Sequence, residues 1–169
     1  MIYISLDPGK TTGVCKYTIE PDHGDLTNLR SYFEMFQITK DAVGLGHWLD
    51  QQDIKGLIYE SFQYRRIPNA DLTAVEIIGT IKFWCSSRGV RIKPVAQPPS
   101  SKSLWDKKKL ERIGLYEPNA PHANDATSHM LYYISSLPSN SKLRKTVTDL
   151  TFQSIMKVRN EILEKVKPI

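Results

Sequence analysis

The chain has 169 residues, 40% of them hydrophobic and 24% charged, with a net charge of +5. This length suits one domain around one core, and the composition is that of an ordinary globular protein without repeats or low-complexity segments. No apolar run is long enough to span a bilayer, no signal-peptide pattern precedes the first strand, and the modest positive charge permits an anionic partner without selecting one. Two cysteines, Cys15 in a strand and Cys85 in a helix, have neither metal nor disulfide spacing. They read as reduced core thiols of a cytosolic protein.

The first predicted strand, Ile2 to Leu6, is a run of β-formers that ends in Asp7. Pro8-Gly9 turns the chain, Lys10 lies in the turn, and Gly13 to Tyr17 returns as a second strand. A carboxylate carried out of a buried sheet to its rim can hold a cation while the strand below fixes it, although Asp-Pro-Gly is also ordinary turn chemistry. A polar loop from Glu20 to Asn28 leads to a third strand, Leu29 to Ile38, which completes an antiparallel meander. Asp41 is placed to cap a helix to about Gln52, with Ala42, Leu45, Trp48 and Leu49 on one face and Gly44 and Gly46 weakening it.

Gly56 to Glu60 is a short apolar run that reads as a buried parallel strand, and it too ends in an acid. The loop after it, Phe62 to Asn69, is aromatic and basic, carrying Phe62, Tyr64, Arg65 and Arg66. Asp71 caps a helix to about Ser87 whose stripe of Ala74, Ile77, Ile78, Ile81, Trp84 and Cys85 reads as core. Val90 to Val95 is expected as the fifth strand, with Pro94 marking an edge or an end. Ala96 to Ser103 is expected as loop. Lys102 and the run Lys107-Lys108-Lys109 flank Trp105; such a run is usually a solvated helix face, and beside a nuclease site it can contact phosphates.

Pro118 to Pro121 precedes a helix that opens with His122-Ala123-Asn124-Asp125-Ala126 and ends before Pro138. His122 and Asp125 share one helical face within a turn, near an N-terminus where anionic groups are stabilised. His129, one turn further, extends that face and is assigned a structural or exposed position. Ser139 to Lys145 reads as a connector and Thr146 to Lys167 as an amphipathic helix. The expected architecture is α/β, a five-stranded mixed sheet flanked by helices. Residues 1–138 form the domain, and residues 139–169 the connector and terminal helix. Acids at two strand ends and on a late helix form a constellation able to hold two divalent cations, Mg²⁺ or Mn²⁺, for phosphodiester hydrolysis.

Four segments carry a resemblance to a known family: Ile4-Ser5-Leu6-Asp7-Pro8-Gly9 with Thr12-Gly13; Ile58-Tyr59-Glu60-Ser61-Phe62; Asn69-Ala70-Asp71 leading to Arg88-Gly89-Val90; and His122-Ala123-Asn124-Asp125-Ala126. In this order the chain resembles the RuvC-type Holliday-junction resolvases of the ribonuclease-H-like superfamily, bacterial or phage, over residues 1 to about 136. The resemblance implies a metal-dependent endonuclease that resolves four-way DNA junctions as a homodimer, in a bacterial cytoplasm or an infected host cell. It places Asp7, Glu60, Asp125 and His122 as catalytic metal-site residues, with His122 either a ligand or a general base. The expected DNA contacts are Lys10, Phe62, Tyr64, Arg65, Arg66, Lys102, Lys107, Lys108 and Lys109. The family's wedge aromatic falls three residues after the strand-end glutamate; here Gln63 holds that position, between Phe62 and Tyr64. The rival readings are a flap, fork or packaging nuclease on the same fold, a catalytically silent nucleic-acid-binding relative, and a sugar-kinase or chaperone-type ATPase. The ATPase would need two such domains.

Overall fold

Five runs rich in aliphatic and β-branched residues pair into one mixed sheet. The computed structural model describes residues 1–19, 28–62, 71–87 and 92–165. Strand β1 (Ile2–Asp7) pairs antiparallel with β2 (Thr12–Thr18), Asp7 lying opposite Gly13, and β3 (Phe33–Ile38) pairs antiparallel with β2. On the other side, β4 (Ile54–Glu60) runs parallel to β1 and β5 (Val95–Gln97) parallel to β4, giving the order β3-β2-β1-β4-β5. Between β1 and β2, Thr12 Oγ1 donates to the Gly9 carbonyl at 3.0 Å and closes the turn.

Side chains alternate across a strand, and this alternation sorts the core into two layers. Ile4 and Leu6 of β1, with Leu57 and Tyr59 of β4, face the helices α1 (Ala42–Asp50) and α2 (Thr73–Ser87). Their buried partners there include Leu45, Leu49, Ile77, Ile81 and Trp84. Cys15 and Tyr17 of β2, with Ile58 of β4, face α4 (Pro121–Ser136), against Ala126, Met130, Leu131 and Ile134. The parity of the strands therefore carries Asp7 and Glu60 towards the α4 side, and a slip of one residue would turn both away. The short helix α3 (Lys107–Arg112) contributes Leu110 to this second layer, and α5 (Lys142–Lys165) contributes Leu143, Val147 and Leu150.

The five-stranded mixed sheet flanked by helices matches the sequence expectation, with shifts at the ends. The third strand starts at Phe33, because Leu29–Tyr32 forms a 3₁₀ turn capped by Asn28. The fifth strand lies at Val95–Gln97 and not Val90–Val95; residues 88–91 are outside the described part, and 92–94, including Pro94, are not strand. The expected loop after it is a 3₁₀ segment, Pro99–Trp105. The last helix begins at Lys142 and not Thr146, absorbing part of the expected connector. Asp41 caps α1, its carboxylate accepting from the Gly44 amide at 2.7 Å, and Asp71 accepts from the Thr73 amide at 3.0 Å. Both cysteines are buried and unpaired. No helix among the described residues is long and apolar enough to cross a membrane.

Candidate active site

Three parallel strands end side by side at one rim, presenting Asp7, Glu60 and Gln97. In open α/β sheets this carboxyl end is where ligands gather. The N-terminal half of α4 lies over the same rim. Pro121 occupies its first turn, where the missing amide hydrogen is harmless. His122, Asp125 and His129 follow at helical spacing on one face.

Each of these three meets a different partner. His122 Nδ1 lies 2.8 Å from Asp7 Oδ2. Asp125 Oδ2 accepts from Lys102 Nζ at 2.7 Å, and the same ammonium donates to Glu60 Oε2 at 3.0 Å. His129 Nε2 donates to Glu60 Oε2 at 2.8 Å, while its Nδ1 lies 2.9 Å from Ser101 Oγ and 3.1 Å from Gln97 Oε1. Ser101 in turn donates to the Pro98 carbonyl at 2.8 Å, which anchors the 3₁₀ segment carrying Lys102.

The helix can approach this closely because of Gly13. A Cβ there would stand 1.9 Å from the His122 carbonyl oxygen. The His122 amide also donates to Gln37 Oε1 of β3 at 2.9 Å, so two strands set the entry of α4. Ahead of the helix, Asn124 both donates to the Glu117 carbonyl and accepts from its amide, each at 2.8 Å.

The carboxylates are not equivalent. Burial pushes the Asp7 carboxyl up to about 6; His122 and Lys102 oppose this, and the charges of Glu60 and Asp125 add to it. Burial would raise Glu60 as well, but His129 and Lys102 override it and bring it down to about 2. Lys102, despite a burial cost, is held firmly charged by Asp125 and Glu60. Burial sets Asp7 apart, while Lys102 is the positive group shared by Glu60 and Asp125.

The four residues singled out as metal-site candidates all lie on this rim, His122 against Asp7, and Glu60 and Asp125 joined through Lys102. His129, given a structural or exposed place, is fully buried and clasps Glu60, which corrects the exposed alternative. Its signal in the sequence was its position one turn beyond Asp125. Gln97 and Ser101 carried no signal of their own. Of the expected DNA contacts, Lys10 pairs with Asp71 at 3.2 Å on the surface. Phe62 is exposed and lines a cavity of about 250 Å³ beside Glu60, with Pro8, Ser61 and Pro99. Tyr64, Arg65 and Arg66, like Gln63, lie outside the described residues. Lys102 lies between the acids. On α3, Lys107 sits 5.0 Å from the centre of the Tyr116 ring, Lys108 is exposed, and Lys109 donates to the Leu104 carbonyl at 2.7 Å. A second cavity, about 190 Å³, flanks Asp125 and is lined by Lys102, Trp105, Lys107 and Tyr116.

Oxygen donors from three carboxylates with one imidazole fit Mg²⁺ or Mn²⁺. The Lys102 ammonium already holds a positive charge between Glu60 and Asp125. The acids are paired off, and among the described residues no three Asp, Glu, His or Cys side chains converge as a ready-made cluster.

Solved structures share this fold. The Thermus thermophilus RuvC structure aligns with a TM-score of 0.53 at 14% identity, covering 78% of this chain and 92% of that one. T. thermophilus RuvC in complex with Holliday junction substrate aligns with a TM-score of 0.53 at 13% identity, covering 78% and 91%. At these identities the likeness is one of fold. No family model matches the sequence, and no curated protein sequence matches it.

Proposed function

We propose that this chain is a metal-dependent DNA endonuclease acting on branched DNA, with the four-way junction as its preferred substrate and a homodimer as its working form. The observation that carries the reading is the rim constellation: Asp7 and Glu60 at adjacent strand ends, with His122 and Asp125 of α4 over them. The fold likeness to a RuvC structure that contains a Holliday junction substrate supports the choice of DNA.

Asp7, Glu60, Asp125 and His122 would hold two Mg²⁺ or Mn²⁺ ions, which when bound supply positive charge to the reacting phosphate and acidify water. The chain's own residues do the rest. His129 locks the Glu60 carboxylate in one orientation and keeps it ionised. Asp7 fixes the His122 ring through Nδ1, leaving Nε2 to ligate or to take a proton from the attacking water. The cavities on either side, one carrying Phe62 and the other Trp105 and Tyr116, give apolar ring surface to nucleotides flanking the scissile phosphate.

The test is cleavage of four-way, flap and linear duplex DNA with Mg²⁺, Mn²⁺ or EDTA. Paired, symmetric nicks in the four-way substrate, abolished by EDTA, are expected. Cutting confined to flaps would assign a single-nick nuclease on the same fold, and inertness towards every DNA would overturn the proposal.

A further inference from the structure

We infer that Lys102 is a built-in competitor for the metal: its ammonium occupies the space between Glu60 and Asp125, and a divalent cation binds there only by displacing it. This inference rests on the nuclease reading and adds a rule for how the site loads.

Three observations carry it. First, one nitrogen serves both acids, at 3.0 Å from Glu60 and 2.7 Å from Asp125, so the contact is a shared bridge between two candidate ligands. It is not a surface decoration, because the Glu60 and Lys102 side chains are only 16% and 33% exposed. Second, the stem is flexible while its base is fixed. Ser101, buried and bonded to Pro98 and His129, pins the backbone next to Lys102. A lysine is a point charge on a four-carbon stem, with no planar fork to hold it in register. The ammonium can therefore leave without disturbing the segment. Third, Glu60 receives both Lys102 and His129 on Oε2. When the ammonium leaves, His129 still orients the carboxylate, so the acid does not lose its posture on exchange.

The arrangement has two consequences. Without metal, the bridge offsets repulsion between acids whose pairing would be costly to break in a half-buried place. With metal, the freed ammonium stays tethered at the rim, where a DNA phosphate can take it. Phosphate binding and metal binding then favour each other, because each removes Lys102 from the other's competitor state.

The experiment is a calorimetric titration of the full chain with Mn²⁺, comparing wild type with Lys102→Met, which keeps the stem and removes the charge. The variant should bind Mn²⁺ tighter by about tenfold or more, within the usual range of site coupling. Equal or weaker binding would overturn the inference, since a lysine that merely orients the acids would help the metal. If Lys102→Met does not fold without metal, the wild type alone decides. An amine-acetylating reagent with mass-spectrometric readout should modify Lys102 slowly in EDTA and faster with saturating Mg²⁺. Labelling that is unchanged or slowed by Mg²⁺ would overturn it. A wild type that cleaves DNA and binds Mn²⁺, with no gain in Lys102→Met, rejects the competitor and leaves the nuclease intact. A wild type that neither binds Mn²⁺ nor cuts rejects both.

Discussion

Asp7 and Glu60 are neighbours on parallel strands, yet their surroundings push their acidities apart, Asp7 up to about 6 and Glu60 down to about 2. Two carboxylates sharing the proposed chemistry would be suited to different tasks by such a split. Because the folded value of Asp7 lies above its ordinary 3.8, its contribution to stability is complete below that pH and is lost as pH rises through about 6. Glu60 behaves oppositely: its contribution is present above its ordinary 4.5 and fades as pH falls towards about 2. Asp7→Asn should therefore stabilise the metal-free protein at pH 7, by up to about 3 kcal/mol for a raise of this size. The gain should vanish near pH 4. The same variant should lose cleavage and keep DNA binding, since phosphate contacts come from basic residues. Thermal melts in EDTA from pH 4 to 7, with a cleavage and a binding assay, check all three; a less stable Asp7→Asn protein at pH 7 would contradict this balance of charges. At this scale the acids were legible because each closes an apolar run, a pattern visible in one dimension. Lys102 was expected at a DNA phosphate and His129 in a structural or exposed position; neither was matched to Glu60, which lies 42 and 69 residues away and meets them only through the packing of α4 on the sheet.

The contact between β2 and the start of α4 is the element-level feature on which the site depends. A Cβ at residue 13 would meet the His122 carbonyl oxygen at 1.9 Å and its carbon at 2.1 Å, both backbone atoms that cannot swing aside. Gly13→Ala should push the helix off the hairpin, part His122 from Asp7, and cost about 1–3 kcal/mol, as other overpacking changes do. Thermal melts and cleavage rates for Gly13→Ala and wild type decide the matter; a Gly13→Ala protein as stable and active as wild type would show that the helix does not need this approach. Gly13 stands inside the first of the family-like segments, but a glycine that admits a distant backbone looks no different in sequence from one that turns a hairpin. The same limit explains the fifth strand. Val90, Ile92 and Val95 are the apolar residues of the expected strand, yet pairing with Ile58–Glu60 is made by Val95–Gln97, after Pro94. The lysine run, by contrast, could be read from local pattern alone: α3 buries Leu110 and leaves Lys107, Lys108 and Lys109 exposed.

Over the whole molecule, the sheet and its two helical layers were legible because each strand is short, apolar and punctuated, and because helical stripes such as Ile77, Ile78, Ile81, Trp84 and Cys85 match the buried face of α2. What cannot be read from one chain is how many copies act together. One rim supplies one candidate site, whereas symmetric cutting of a four-way junction needs two, related by a two-fold axis. The outer side of α2 is the surface best suited to that axis. Val75 and Phe83 on it, with Leu72 just before it, are 41%, 70% and 51% exposed, and Gly79 between them leaves open space for another backbone. Val43 of α1, 67% exposed, borders the same region across a cavity of about 320 Å³ that Phe83 and Trp84 also line. A monomer gains nothing from this much uncovered apolar side chain, whereas an isologous interface would bury each residue twice, once on each copy. Phe83→Glu places a charge at the most exposed of these positions on α2, away from the candidate site. In sedimentation velocity the wild type should run as a dimer and Phe83→Glu as a monomer with an unchanged melting temperature at low concentration. On a four-way junction the monomer should make single, uncoordinated nicks at unaltered chemical competence. A wild type that stays monomeric both free and on junction DNA would remove the dimer and direct the activity towards flaps or single nicks.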